Sequence, residues 1–397
     1  MPDKLYVGKQ CIYDRDTYVT QCNNNLLVIG SSGTGKTRHV ARPNLMQSHN
    51  TSYIVIDPKG TLYDECRETM LASGYKVQKL NFANPDDASS CHWNPFAAIL
   101  TDVDVTSMAY GLTFADGSVT SDRYWDEANV LLFSALIEYL RRYCTAESFT
   151  LSSLIKLLNC GDADGDNDEK TAVLDHLIDN VRIKDPSSSV VRMYDAARTA
   201  RGRTWSSVLS TACAKVSIYG TDTMNQFLAS DDKALNIAMS GYERTALFVI
   251  VSDTDRSLDS LINLFISQLI RQLVTVADGR GNHRLPVDVM LLLDDFANNA
   301  TIRDFPRIVS SVRSRGISVM ILIQDITQLY ARYGSEGHTI AASCDTLCYL
   351  GGMDMDTASL IARRAGVTEA EVLSMPIGRM WVFRRGCQPV LTERLPV

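Results

Sequence analysis

The sequence predicts an α/β fold, a mainly parallel sheet interrupted by an all-helical stretch, and three observations carry that expectation. Short apolar runs of strand length recur along the chain and are separated by helical periodicity, the pattern of strands buried on both faces. The first of these runs, Leu26–Ile29, breaks into a glycine-rich turn and then a helical segment. From about Asp102 to Glu243 the apolar spacing is helical throughout, as an insertion into the sheet domain would be.

Residues 1–25 are polar and irregular, with at most a short strand at Leu5–Val7. After the glycine-rich turn, Arg38–Gln47 continues as a helix in which Pro43 introduces a kink. Thr51–Asp57 reads as a second buried strand stopped by Pro58-Lys59-Gly60, followed by a helix over Leu62–Ser73 and a strand around Val77–Phe82. In the interrupting stretch, Trp125–Tyr143 is a long amphipathic helix, Leu151–Leu158 a shorter one, and Ser188–Tyr219 one or two more. Between them, 161–169 alternates Asp162, Asp164 and Asp166 like a calcium loop. Asn167 stands where such a loop needs glycine and Val173 where it needs glutamate, so the stretch reads as a solvated acidic loop. The sheet resumes with Thr245–Ser252, a helix over Leu258–Ala277 and a strand at Val287–Asp295. A helix at Arg303–Arg313, a strand at Ile317–Gln324 and a helix starting at Ile326 follow. Thr346–Leu350 is a short strand, and Arg379–Phe383 with Pro389–Thr392 flank Arg385-Gly386 as a hairpin. The division expected is 1–100 and 245–397 as two parts of the sheet domain, with 101–244 as the helical insert.

The glycine-rich turn is the most specific signal. Gly30, Gly35, Lys36 and Thr37 fill every fixed position of G-x-x-x-x-G-K-[ST], after a strand and before a helix. Backbone N–H groups of Gly30, Ser31, Ser32, Gly33, Thr34 and Gly35, with the helix N-terminus, would face nucleotide phosphates. Lys36 would reach the β and γ phosphates and Thr37 would ligand Mg²⁺. Met290–Leu293 then runs into Asp294 and Asp295, an apolar strand ending in two carboxylates. Asp294 suits the Mg²⁺ shell, and Asp295 suits orienting the attacking water. Gln324 ends the next strand and suits sensing the γ phosphate. Arg313 and Arg315 precede that strand and suit a finger supplied to a neighbouring subunit, or surface ion pairs.

Composition excludes several classes. With 45% hydrophobic and 21% charged residues the chain is an ordinary globular protein, and no apolar stretch is expected to approach the length of a membrane span. A net charge of −7 argues against simple coating of nucleic acid, and residues 101–200 alone hold 17 acids against 9 bases. That acidic insert fits recognition of basic protein surfaces better than a grip on DNA. From 301 onward there are 11 Arg and no Lys, which suits fixed phosphate or carboxylate contacts. The ten cysteines are scattered without a C-x-x-C pair, as free thiols in a reducing compartment would be.

Together these blocks resemble the coupling-protein ATPases of conjugation and type IV secretion, the TraG/TraD/VirD family. The resemblance runs through Val28–Arg38, Arg42-Pro-Asn-Leu, Asp57-Pro-Lys-Gly, Asn94-Pro-Phe and Tyr124-Trp-Asp-Glu-Ala. It continues in Thr245–Ile250, Asp253-Thr-Asp-Arg-Ser, Leu293-Asp-Asp-Phe-Ala-Asn, Ser314-Arg-Gly-Ile-Ser, Ile323–Leu329 and Cys344-Asp-Thr-Leu. It implies a RecA-like nucleotide-binding domain interrupted by an all-α domain, with ATP and Mg²⁺ as ligands. It also implies a hexamer at the cytoplasmic face of the bacterial membrane that delivers single-stranded DNA with its relaxase, or effector proteins, to the type IV secretion channel. On the family pattern Lys36 and Thr37 take the phosphate and metal roles, Asp294 the metal, Asp295 the catalytic acid, Gln324 the sensor and Arg313 the trans arginine. Two departures stand out: Asp295 replaces the family's usual glutamate, and the transmembrane helices that usually open the family's chains are absent. The chain is therefore expected to be a soluble fragment or to dock on a separate membrane partner. An ATP-gated docking platform that moves no DNA, and a small-molecule P-loop kinase, are the alternative functions.

Overall fold

The computed structural model describes residues 3–114, 123–160, 168–199, 203–298, 301–302 and 304–396. Most of the acidic stretch read as a loop, 161–167, lies outside them. The chain divides into two compact units, one made of Met1–Ala83, Asn236–Arg256 and Leu269–Val397, the other of Asn84–Leu235 and Ser257–Gln268.

The first unit carries the strands β1 (Lys4–Gly8), β2 (Cys11–Asp14), β3 (Leu26–Ile29), β4 (Ser52–Asp57), β5 (Lys76–Asn81) and β6 (Thr245–Ile250). It also carries β7 (Val289–Leu293), β8 (Ile317–Ile323), β9 (Thr346–Tyr349), β10 (Arg379–Arg384) and β11 (Val390–Glu393). Nine of these form one sheet in the order β11-β10-β9-β3-β8-β7-β4-β6-β5. The strands from β9 to β5 are parallel, and β10 and β11 add antiparallel at one edge. Every residue of β3, β4, β6, β7 and β8 is buried, as expected of strands covered on both faces. The chain leaves β3 and returns in β4 three places away, so the C-terminal ends of β3 and its neighbours open a crevice where the strand order reverses, the usual ligand position in open α/β sheets.

The N-terminal segment and the helix after the glycine-rich turn differ from the sequence expectation. The N-terminal stretch forms a hairpin and not a lone strand: β1 pairs antiparallel with β2, with Leu5 opposite Tyr13. Alternation at Leu5 and Val7 is visible in the sequence, whereas β2 is too short and too polar to show a period. After the glycine-rich turn the helix opens as a π turn over Thr37–Ala41, with Arg42 N donating to Thr37 O, and becomes α-helical over Arg42–Met46. Pro43 has no N–H for the carbonyl four residues back, and a widened turn just before it accommodates the loss.

In the second unit the helix Arg123–Tyr143 packs against Asp102–Thr113, Leu151–Asn159, Ser189–Ala197 and Arg203–Ser217. Its buried stripe includes Ala128, Leu132, Phe133, Leu136 and Leu140. This unit begins before helical periodicity is visible because two aromatic side chains anchor the lead-in. Trp93 meets Phe265 edge-on at 5.1 Å between ring centres, and Phe96 tilts onto Phe149 at 5.1 Å. Contrary to the expectation from the apolar runs, one helix among the described residues, Asp259–Asp278, is long and apolar enough to cross a membrane by length and composition, with mean hydropathy 1.4. Half of that stretch is buried in the protein, with Phe265, Leu269 and Leu273 fully covered, which is how a core helix passes the same test.

Candidate active site

The glycine-rich loop starts where β3 ends. Gly30 N donates to Ile323 O at 3.2 Å and Ser31 N to Gly351 O at 3.0 Å, tying the loop to the ends of the strands on either side. Ser32 and Gly33 form an exposed tip, and Thr34 closes the turn by donating through Oγ1 to Ser31 O at 2.7 Å. Gly35 has φ +80°, and a Cβ there would sit 2.5 Å from the His39 ring. A side chain at Gly35 would therefore be strained by the positive φ and would collide with His39.

Within the loop the Lys36 ammonium is buried, 7% exposed, and donates to Gly30 O at 2.6 Å and Ser31 O at 3.4 Å. Burial lowers its pKa, and the nearby carboxylates of Asp295 and Asp294 oppose that. Thr37 Oγ1 donates to Asp294 Oδ2 at 2.7 Å, joining the loop helix to the end of β7 across 257 positions of sequence. Burial pushes the Asp294 carboxyl up, and the bond from Thr37 pulls it back. Asp295 N donates to Asp294 Oδ1 at 3.0 Å. Asp295 itself has φ +48°, a left-handed backbone that Asp and Asn enter more readily than longer side chains. Gln324 follows β8, whose Ile323 pairs with Ile29, and stands half-buried at the level of Gly30.

The sequence-read residues therefore separate into two groups. Lys36, Thr37, Asp294, Asp295 and Gln324 come together at the C-terminal ends of β3, β7 and β8. Arg313 and Arg315 do not join them, since their short turn precedes β8 and lies at the opposite edge of the sheet, roughly 23 Å away at 3.3 Å per residue. Arg315 is held by Asp278 in a two-pronged pair at 2.7 and 2.9 Å, whereas Arg313 is exposed and, among the described residues, donates a single hydrogen bond, to Thr17 O at 3.4 Å.

Two residues join the site that sequence reasoning did not single out. Asp57 ends β4, whose Ile56 O accepts from Asp294 N at 3.3 Å. Its buried carboxylate accepts from Tyr63 N at 2.9 Å, and burial, with Asp294 nearby, pushes its pKa to about 6. The strand-end position in Asp57-Pro-Lys-Gly was the available signal. Arg394 reaches back 360 positions: its guanidinium donates to Thr34 O at 2.8 Å, Leu350 O at 2.6 Å and Arg379 O at 3.1 Å. No local pattern marks it.

Chemically the arrangement offers a backbone cradle, one buried cation and a hydroxyl–carboxylate pair of hard oxygen donors, the set that suits a phosphate chain with a small divalent cation. A family model described as type IV secretory system conjugative DNA transfer matches residues 1–378. Among solved structures, the chain is similar to the unbound monoclinic form of the bacterial conjugative coupling protein TrwBdeltaN70. Identity is 19% and the TM-score 0.71, over 99% of this chain and 88% of that one. It is similar to the plasmid coupling protein TrwB in complex with ADP and Mg²⁺, at 19% identity and TM-score 0.65, over 93% and 85%. VirB4 of Thermoanaerobacter pseudethanolicus also matches, at 14% identity and TM-score 0.59, over 100% and 96%. At these identities the likeness establishes the fold. No curated protein sequence matches the chain.

Proposed function

Since the chain belongs to the type IV secretory system conjugative DNA transfer family, we propose that it is an ATP-hydrolysing coupling protein that recruits single-stranded DNA with its relaxase, or effector proteins, to a secretion channel. The observation that carries this reading is the Thr37–Asp294 bond at 2.7 Å beside the buried Lys36, an arrangement of donors that suits a phosphate chain and a cation. The TrwB complexes with a non-hydrolysable ATP analogue and with ADP and Mg²⁺ support the ligand pair.

Under this reading the loop N–H groups from Gly30 to Gly35 orient the phosphates and Lys36 exchanges its carbonyl partners for phosphate oxygens. Thr37 and Asp294 hold Mg²⁺, which when bound neutralises charge on the β and γ phosphates. Asp295 takes the proton of the attacking water, and its left-handed backbone gives a physical reason for aspartate where the family usually has glutamate. Gln324 orients that water or reads the γ phosphate. Arg313, far from its own loop and lightly held, serves the neighbouring subunit of a hexamer, while Arg315 is engaged with Asp278. The helical segment 101–244, with its excess of acids, receives basic protein cargo at the cytoplasmic face of the membrane. ATP hydrolysis by the purified chain against Lys36→Ala tests the reading. Mg²⁺-dependent turnover lost in the variant is expected, and equal turnover in both proteins would refute it.

A further inference from the structure

The guanidinium of Arg394, just past β11, ties the glycine-rich loop to the ends of β9 and β10. It donates through Nη1 to Thr34 O at 2.8 Å, through Nη2 to Leu350 O at 2.6 Å and through Nε to Arg379 O at 3.1 Å. We infer that Arg394 is a positioning residue for phosphate binding: by holding the Thr34 carbonyl it aims the Gly35 N–H into the site, and its charge adds to the pull on the phosphates. The inference rests on the nucleotide reading above and names what tunes that same site.

Peptide geometry supplies the first step. The Thr34–Gly35 peptide is trans, so its carbonyl and its N–H point in opposite directions. Whatever fixes Thr34 O therefore fixes the direction of the Gly35 N–H. That amide donates to no acceptor among the described residues, which leaves it for a ligand. Gly33 and Gly35 have φ of +77° and +80°, and glycines let a peptide plane swing more freely than other residues do. Sterics alone thus leave this unit loose, and the guanidinium supplies the missing restraint. A hydrogen bond accepted at the carbonyl also polarises the peptide and strengthens its N–H as a donor.

Arg394 can serve as a fixed point because its own backbone is held on both sides. Its N–H donates to Gly378 O at 2.9 Å, and the carbonyl of the next residue, Leu395 O, lies 2.7 Å from His39 Nδ1 in the helix after the loop. The preceding Glu393 pairs with Arg379 across the β10–β11 ladder, and Lys9 N, from the turn between β1 and β2, donates to Glu393 O at 3.0 Å. The Glu393 carboxylate is engaged with Lys9 at 2.8 Å, and no carboxylate pairs with Arg394 among the described residues. Burial lowers the Arg394 pKa, yet a guanidinium stays protonated near neutral pH. The loop therefore has a second cation beside Lys36, opposed only by carbonyl dipoles, and a polyphosphate supplies the counter-charge.

Contacts of this kind are made to the phosphates before and during hydrolysis alike, so their loss should raise KM far more than it lowers kcat. The test is calorimetric titration of the full chain with ADP and inorganic tripolyphosphate, together with steady-state ATP hydrolysis, for the parent, Arg394→Ala and Arg394→Lys. Arg394→Ala should weaken both ligands by about 10–100-fold and raise KM by a similar factor, with kcat changing far less. Arg394→Lys keeps a charged donor for Thr34 O without the three-way fork, and should lose less. Parent-like affinity in Arg394→Ala, or in Arg394→Lys should the alanine variant not fold, would overturn the inference. A fall in kcat at unchanged KM, the mark of a smaller folded fraction, would do the same, as would weakening of ADP with tripolyphosphate unaffected. Each of these leaves the nucleotide reading standing, whereas failure of the parent to bind ADP and tripolyphosphate alike would overturn both.

Discussion

Asp57 is ionised at neutral pH at a cost to the fold, and replacing it by asparagine should stabilise the sheet unit in a pH-dependent way. Its carboxyl is 1% exposed and burial raises its pKa from 3.8 to about 6. The folded chain thus binds this proton more tightly than the unfolded chain, so stability falls as pH rises from about 4 to 6 and stays lowered above that. At 1.36 kcal/mol per factor of ten in proton affinity, the full penalty is about 3 kcal/mol. The side-chain amide of the Asp57→Asn variant would still accept from Tyr63 N, through a neutral bond weaker by about 1 kcal/mol than the carboxylate's. About 2 kcal/mol of net gain remains above pH 7, equivalent to about 4–8 °C in melting temperature for a unit of this size. Thermal melts of the parent and Asp57→Asn in chelator, from pH 4.5 to 7.5, measure it. The gap should be near zero at the acid end and open with pH. A constant gap, or a variant less stable at pH 7.5, would refute the reasoning.

Other outcomes follow from the same site. Asp294→Ala should lower turnover by at least about 100-fold while nucleotide binding in chelator persists, which steady-state hydrolysis and calorimetry together would establish. Gln324→Ala should slow hydrolysis by about 10–100-fold with binding unchanged; if both rate and affinity hold, Gln324 is not the sensor. Mixing inactive Lys36→Ala subunits with inactive Arg313→Ala subunits should restore part of the activity, because an intact Arg313 from one can then face an intact Lys36 in the other. Absence of any recovery in an assembled mixture would place the arginine elsewhere.

What the sequence made legible was whatever is coded locally. The turn from Gly30 to Thr37 and the strand running into Asp294 and Asp295 each carry their chemistry within a few residues, and the fold brings them to one end of the sheet. Strands such as β8 are apolar throughout, so their burial was readable without knowing their neighbours. What was not legible depends on partners remote in sequence. Arg394 looks like any surface arginine until β11 carries it back to Thr34. Asp57 reads as a strand terminus, and only the parallel pairing of β4 with β7 sets it beside Asp294. Pro43 announced a disturbance of its helix but not its form, a π turn that precedes the proline. The left-handed backbone of Asp295 likewise has no sequence signature beyond tolerance for it.

ATP hydrolysis measured across a series of protein concentrations, with and without single-stranded DNA and against Lys36→Ala, tests the central claim most directly. A rate that rises more than linearly with protein, increases with DNA and vanishes in the variant is the expected result. Turnover strictly proportional to protein and indifferent to DNA, with nucleotide still bound, would contradict a ring-assembled DNA translocase and favour a nucleotide-gated docking platform.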